Sequence, residues 1–137
     1  MDRVVVAEKL ESLRRCVQRI EERRAPTADA LRADADRQDI VSLNLTRAVQ
    51  LCVDLAAHVL GRSNQPPPQT MGESFDALAA EGIILAALAK RLRGAVGFRN
   101  IAVHSYQAID WNIVHAITYD GLDDFRQFAA SVDALIE

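Results

Sequence analysis

Apolar residues recur along this chain at steps of three and four, the spacing that lines one face of an α-helix. Val6, Leu10, Leu13, Val17 and Ile20 form the first stripe, with Arg14, Arg15, Arg19, Glu21 and Glu22 at the solvated positions between them. Pro26 ends this helix, because proline has no N–H to offer the next turn. A longer helix is predicted from about Asp34 to Leu60. Val41, Leu45, Ala48, Cys52, Leu55 and Val59 make its main stripe, and Leu43, Leu51 and Leu60 widen it. That width predicts a central position in the fold. Gly61 is a natural C-terminal stop.

Arg62 to Gln69 reads as a linker, since three consecutive prolines favour extended geometry and forbid helix. Thr70 and Glu73 then have capping-box spacing and open a short helix carrying Phe75 and Leu78. Gly82 separates it from a helix predicted over about Ile83 to Tyr106, with Leu85, Leu88, Leu92 and Val96 on the buried side. Gly94 and Gly97 weaken this helix and allow a close helix contact or a bend. Asp110 is placed to cap a last helix carrying Ile113, Ile117, Phe125, Phe128, Val132 and Leu135, which Asp120-Gly121 is expected to kink. No segment alternates apolar and polar residues long enough for a strand, and no internal repeat is visible. The pattern predicts an all-α bundle of four to five helices.

At 137 residues the length predicts one domain, residues 1–137. A net charge of −3 argues against a general nucleic-acid-coating protein, while leaving room for a local basic site. Cys16 and Cys52 fit no metal-ligand or redox spacing and read as two buried thiols in a reducing compartment. The first residues carry charges where a signal peptide would be apolar. The longest apolar stretch, Gly82 to Ala89, is too short to span a membrane. These features predict a cytoplasmic protein with no membrane partner.

Phosphate-binding loops, dinucleotide fingerprints, nucleophile elbows and zinc-protease motifs are all missing. The three histidines do not share ligand spacing, so no metal site and no cofactor is expected. One segment is electrostatically unusual. No acidic residue lies between Glu81 and Asp110, yet Lys90, Arg91, Arg93, Arg99 and His104 all do. The plain reading is a solvated basic face paired with acidic neighbours. The sharper reading is a phosphate-binding surface, with Lys90 and Arg93 supporting it.

This basic segment ends in Phe98-Arg99-Asn100-Ile101-Ala102-Val103-His104-Ser105-Tyr106. It resembles the R-x4-H-x-Y motif of HepT toxins, a branch of the HEPN ribonucleases, with Arg99, His104 and Tyr106 at the named positions. Gly72 to Leu78, Val53 to His58 and Leu122 to Phe125 are also similar to that family. The residue types suit the chemistry. RNA cleavage without metal needs a group that moves protons near neutrality, as histidine does. It also needs a fixed cation against the charge building on phosphorus, as arginine provides. Asn100 is placed to orient either group or to hold a phosphate oxygen. Each residue has an ordinary alternative: a capping histidine, a surface arginine, a helix-end tyrosine.

At about 100° per residue, Asn100 and His104 share one helix face, whereas Arg99 and Tyr106 share another. A bend, long side chains or a second subunit would be needed to complete a site. The resemblance implies the last, a homodimer with two motifs lining one cleft. It further implies an endoribonuclease toxin with Arg99 and His104 catalytic, an RNA substrate and no DNA. Its partner would be a cognate MntA-like nucleotidyltransferase antitoxin that silences the toxin by attaching AMP to Tyr106. The attached phosphate is expected near Arg99, on the same helix face. The rival expectation is a non-catalytic nucleotide- or substrate-binding helical subunit beside a nucleotidyltransferase. Asp54 and His58, four residues apart, read as a hydrogen-bonded pair or an accessory site. Trp111 is expected to pack the start of the last helix or a dimer interface, and His115 receives no role.

Overall fold

The computed structural model describes residues 2–62, 64 and 66–136; Ser63 and Gln65 of the proline-rich linker lie outside the described residues. Helix α1 spans Arg3–Arg23. The Asp2 carboxylate opens it by accepting from the N–H groups of Val4 and Val5 at 2.9 and 3.2 Å. All five predicted stripe residues are buried, and Cys16 joins them. They pack along α3, Ala35–Leu60, whose main stripe is buried as predicted. Removing one such leucine from water contributes roughly 1.5–3 kcal/mol, so this pair anchors the fold. Helix α3 also touches every later long helix, which accounts for its apolar length. Leu43 departs from the predicted stripe: it is 49% exposed, at the open groove that α3 shares with α1.

Between these helices a short α2, Ala28–Arg32, was not anticipated. Thr27 caps it by accepting from the Ala30 N–H at 3.1 Å. Arg37 then donates to the free carbonyls of Arg23 and Arg24 at 3.0 and 3.1 Å, closing the end of α1.

Helix α4, Met71–Ala80, begins as the sequence indicates: Thr70 accepts from the Glu73 N–H at 3.2 Å. The Glu73 carboxylate reaches back to the Gln69 N–H at 2.9 Å. Phe75 meets Phe128 edge-on, with ring centroids 5.8 Å apart. At the other end Gly82 takes a φ of +74°, and the N–H of Ile83 returns to the Leu78 carbonyl at 3.0 Å. This left-handed turn is the one that glycine adopts most cheaply.

Helix α5 spans Ala86–His104, starting later and stopping earlier than predicted. Leu85 is not on its buried side; it precedes the first turn and is 73% exposed. Gly94 and Gly97 face open space, so neither mediates a close helix contact. A 3-10 turn over Tyr106–Ala108 follows, and Asp110 caps α6, Trp111–Ala116, through the Asn112 N–H at 2.9 Å.

The expected kink at Asp120-Gly121 is instead a π-turn, Ile117–Gly121, leading straight into α7, Leu122–Asp133. The extra residue rotates the stripe. Val114 and Thr118 are buried in place of Ile113, and Leu135 lies beyond the helix with its side chain exposed. The widened turn frees the Thr118 carbonyl, which accepts from Arg24 at 3.1 Å. A Cβ on residue 121 would come within 3.0 Å of the Ile117 side chain, so glycine suits this turn.

Candidate active site

Helix α5 presents its motif residues in different directions. Its buried side carries Leu88, Leu92 and Val96. Arg99 continues that line and lies half-buried against α3. Its Nη2 faces Gln50 Oε1 at 3.5 Å and its Nη1 donates to Asn100 Oδ1 at 3.2 Å. Its Nε is buried and has no hydrogen-bond partner among the described residues. Gln50 is itself held, since its Nε2 donates to Asp54 at 3.0 Å, and Asp54 pairs with Lys9 at 3.5 Å. A polar chain from α1 through α3 therefore orients the guanidinium.

His104 is the last residue of α5 and is exposed. Rotation by about 100° per residue places it roughly 140° around the axis from Arg99. Lys90, Arg93 and Asn100 lie on the same solvated side as His104. The supporting cations thus accompany the imidazole and not Arg99. Arg93 is paired with Asp76 and Arg91 with Asp124, each at 2.7 Å. Two of the four charges of the basic segment are therefore matched by carboxylates. Exposed pairs of this kind hold by about 0–1 kcal/mol and leave the guanidinium open to exchange for a phosphate.

Tyr106 does not share a helix face with Arg99. Helix α5 has ended at His104, and Ser105, with φ −148° and ψ 54°, turns the chain before the tyrosine. The phenol hydroxyl donates to Asp39 Oδ1 at 2.8 Å and lies 3.5 Å from Ser42 Oγ. Partial burial is the main cause that raises its pKa above the ordinary phenol value; Asp39 adds to the rise and Ser42 opposes it. The ring stands edge-on to Trp111, centroids 5.9 Å apart, so Trp111 packs the start of α6. Asp39 and Gln50 are eleven residues apart on α3 (50 − 39), about 16 Å along the axis. The expectation that a phosphate on Tyr106 would lie beside Arg99 on one helix face is therefore overturned within a single chain.

Asp54 and His58 do not bond to each other among the described residues; Asp54 is committed to Gln50 and Lys9. His115 lies against Tyr119, ring centroids 5.0 Å apart and planes tilted by 47°. Cys16 and Cys52 are free and buried, and burial pushes both thiols up.

Asp39, Ser42 and Gln50 escaped the sequence reading. Their signal was present as a polar file, Asp39, Ser42, Thr46 and Gln50, at helical spacing along α3. The first three line a cleft of about 360 Å³ with Leu43, Ala102, Val103 and Tyr106. Beside it, with Leu43 lining both, Arg15, Arg19, Arg47 and Gln50 border a larger groove of about 690 Å³.

A family model described as ribonuclease HepT-like matches residues 13–132. The mRNA nuclease HepT of Shewanella oneidensis is 34% identical over 95% of this chain and 97% of its own length. The tRNA nuclease HepT of Aphanizomenon flos-aquae is 23% identical over 97% of this chain and 90% of its own. Among solved structures, the tri-AMPylated Shewanella oneidensis HEPN toxin in complex with MNT antitoxin superposes with a TM-score of 0.89. It shares 34% identity and covers 98% of this chain and 99% of that one.

Proposed function

This chain belongs to the ribonuclease HepT-like family, and from that membership we propose that it is a metal-independent RNA endonuclease toxin silenced by AMP transfer to Tyr106. RNA is the substrate assigned, since the two nuclease relatives are named for different RNA classes. A cytoplasmic location suits a protein that acts on RNA and is modified from a nucleoside triphosphate.

In the proposed reaction the ribose 2′-oxygen attacks the adjacent phosphorus and the 5′-oxygen leaves. The products are a 2′,3′-cyclic phosphate and a free 5′-hydroxyl. One proton leaves the 2′-hydroxyl and one reaches the departing oxygen. His104 carries protons between them, and its exposed ring has room to meet both. Arg99 faces the charge that builds on the non-bridging oxygens. Asn100, Lys90 and Arg93 line the face beside His104 and hold neighbouring phosphates.

One observation supports this reading most directly: the paired motif residues diverge around α5, while Arg99 is already held by Gln50 and keeps an Nε with no partner among the described residues. A guanidinium so oriented meets an imidazole most simply across a two-fold axis. Ile101 is 44% exposed near the motif and supplies apolar surface for a homodimer. The partner of the modification is an MNT-type nucleotidyltransferase antitoxin, the class found in the complex that this chain resembles.

Mixed dimers test the composite site. Neither Arg99→Ala nor His104→Ala should cut RNA alone. A dimer with one protomer of each retains one intact pair and should regain cleavage. Absence of any recovery in isolated mixed dimers would show that each protomer must supply both groups.

A further inference from the structure

The hydroxyl of Tyr106 is not simply displayed to solvent. It donates a 2.8 Å hydrogen bond to a carboxylate oxygen of Asp39, and the Ser42 hydroxyl stands 3.5 Å away. Both partners come from α3, while the tyrosine sits on the turn after α5. The ring edge rests on Trp111, and the cleft beside the hydroxyl stays open to an incoming ligand. Asp39 and Tyr106 are the only ionisable side chains lining that cleft among the described residues.

An attacking phenol must lose its proton. Here the resting hydroxyl is more firmly protonated than an ordinary phenol, chiefly because of partial burial and further because of Asp39. A preformed phenolate is therefore a poor source of nucleophile at neutral pH. The proton has to depart as the oxygen attacks, and a carboxylate in contact is the group to receive it.

We propose that Asp39 is the proton acceptor and positioning residue that makes Tyr106 a nucleotidyl acceptor, so that the toxin supplies part of the machinery of its own silencing. This rests on the reading above that Tyr106 is the modified residue. In the step, Tyr106 Oη forms a bond to the α-phosphorus of ATP. The bond from that phosphorus to the bridging oxygen breaks, and pyrophosphate leaves with the electron pair. The phenolic proton passes to Asp39 and from there to water. Ser42 donates toward the oxygen as charge develops on it. The partner nucleotidyltransferase binds the triphosphate, and Asp39 contributes from the acceptor side.

The test uses the full-length protein with its cognate nucleotidyltransferase, magnesium and ATP, and follows AMP addition by intact mass. Asp39→Asn keeps the shape and an accepting oxygen but removes the base, and should slow transfer on the order of 10²-fold. Asp39→Ser, which also lacks a base, carries the same expectation and serves if the first variant does not fold. Asp39→Glu restores a carboxylate and should recover much of the rate. Cleavage of RNA by each variant reports its fold, since Asp39 lies apart from Arg99 and His104. The ratio of wild-type to Asn-variant rates should shrink as pH rises from about 7 to about 10, because hydroxide then replaces the missing base. Taking a ratio cancels titrations within the nucleotidyltransferase. Transfer to Asp39→Asn within about threefold of wild type, or a ratio constant across pH, would overturn the role of Asp39. Wild-type protein that gains no AMP on Tyr106 would overturn the modification itself, and Asp39's role with it.

Discussion

Arg99 and Tyr106 both reach from the end of α5 toward α3, but they meet it about three turns apart and under opposite conditions. Arg99 is inside a helix, half-buried, and held by a chain of polar groups that runs through Gln50 and Asp54 to Lys9. Tyr106 lies past the helix end, 40% exposed, with one short hydrogen bond to Asp39. A group that must stabilise developing charge benefits from rigid support, because reorganisation during reaction weakens it. A group that must enter another enzyme's active site benefits from exposure. On the function proposed above, the two ends of the motif would serve chemistry and control separately.

The largest expected effect separates the two ends at once. His104→Ala should reduce RNA cleavage by about 10²- to 10⁴-fold while AMP addition to Tyr106 proceeds at the wild-type rate. Cleavage assays and intact mass on the same preparation check this. Equal loss of both activities would mean that the ends form one unit.

A smaller effect is expected when the support of Arg99 is removed. Gln50→Ala leaves Arg99 and His104 in place but frees the guanidinium. It should lower kcat by about tenfold to 10²-fold, in line with the cost of misplacing a reacting group, with little change in KM. Arg99→Lys should do no better, since a lysine cannot reproduce a planar fork. An unchanged kcat in Gln50→Ala would show that the contact from α3 is incidental.

At the other end, Tyr106→Phe should abolish modification yet leave cleavage within about twofold of wild type. Its cost in stability should be about 0.5–1.5 kcal/mol, that of one hydrogen bond, read from denaturant midpoints. The smallest effect is one of pH. The folded state raises the pKa of Tyr106, so its contribution is complete below the unfolded phenol value and fades as pH climbs through the folded one. Above about pH 10, the melting temperature of the wild type should fall more steeply than that of Tyr106→Phe. Parallel curves would mean that the phenol has the same environment in both states.

Much of the scaffold was legible in the sequence. The stripes of α1 and α3, the cap at Thr70, the break at Gly82 and the cap at Asp110 all followed from local spacing and residue chemistry. The helix-end errors have specific causes. Apolar spacing ran on past His104, although Ser105 turned the chain, and that moved Tyr106 to a different partner. The stripe around Ile113 was assigned without the residue inserted by the π-turn at Ile117–Gly121, so the buried face shifted to Val114 and Thr118. Leu85 and Leu43 have the right residue type on the wrong side of their elements. Asp39, Ser42 and Gln50 were visible only as a polar file whose partners lie far along the chain.

The sequence by itself determined that the chain is helical, roughly where each helix runs, and which three residues form the motif. The helical pattern is a property of neighbouring residues, set by a 3.6-residue repeat and by capping groups within one turn, and the motif is read from the resemblance of residues 98–106 to that of the family. Tertiary structure alone decided that Arg99 turns inward, that His104 stays in solvent, and that Tyr106 rests on Asp39. Each depends on where a helix stops and how it is rotated against its neighbour. Rotation is settled by burying side chains against helices remote in sequence, and a few degrees there redirect a side chain without altering any local pattern.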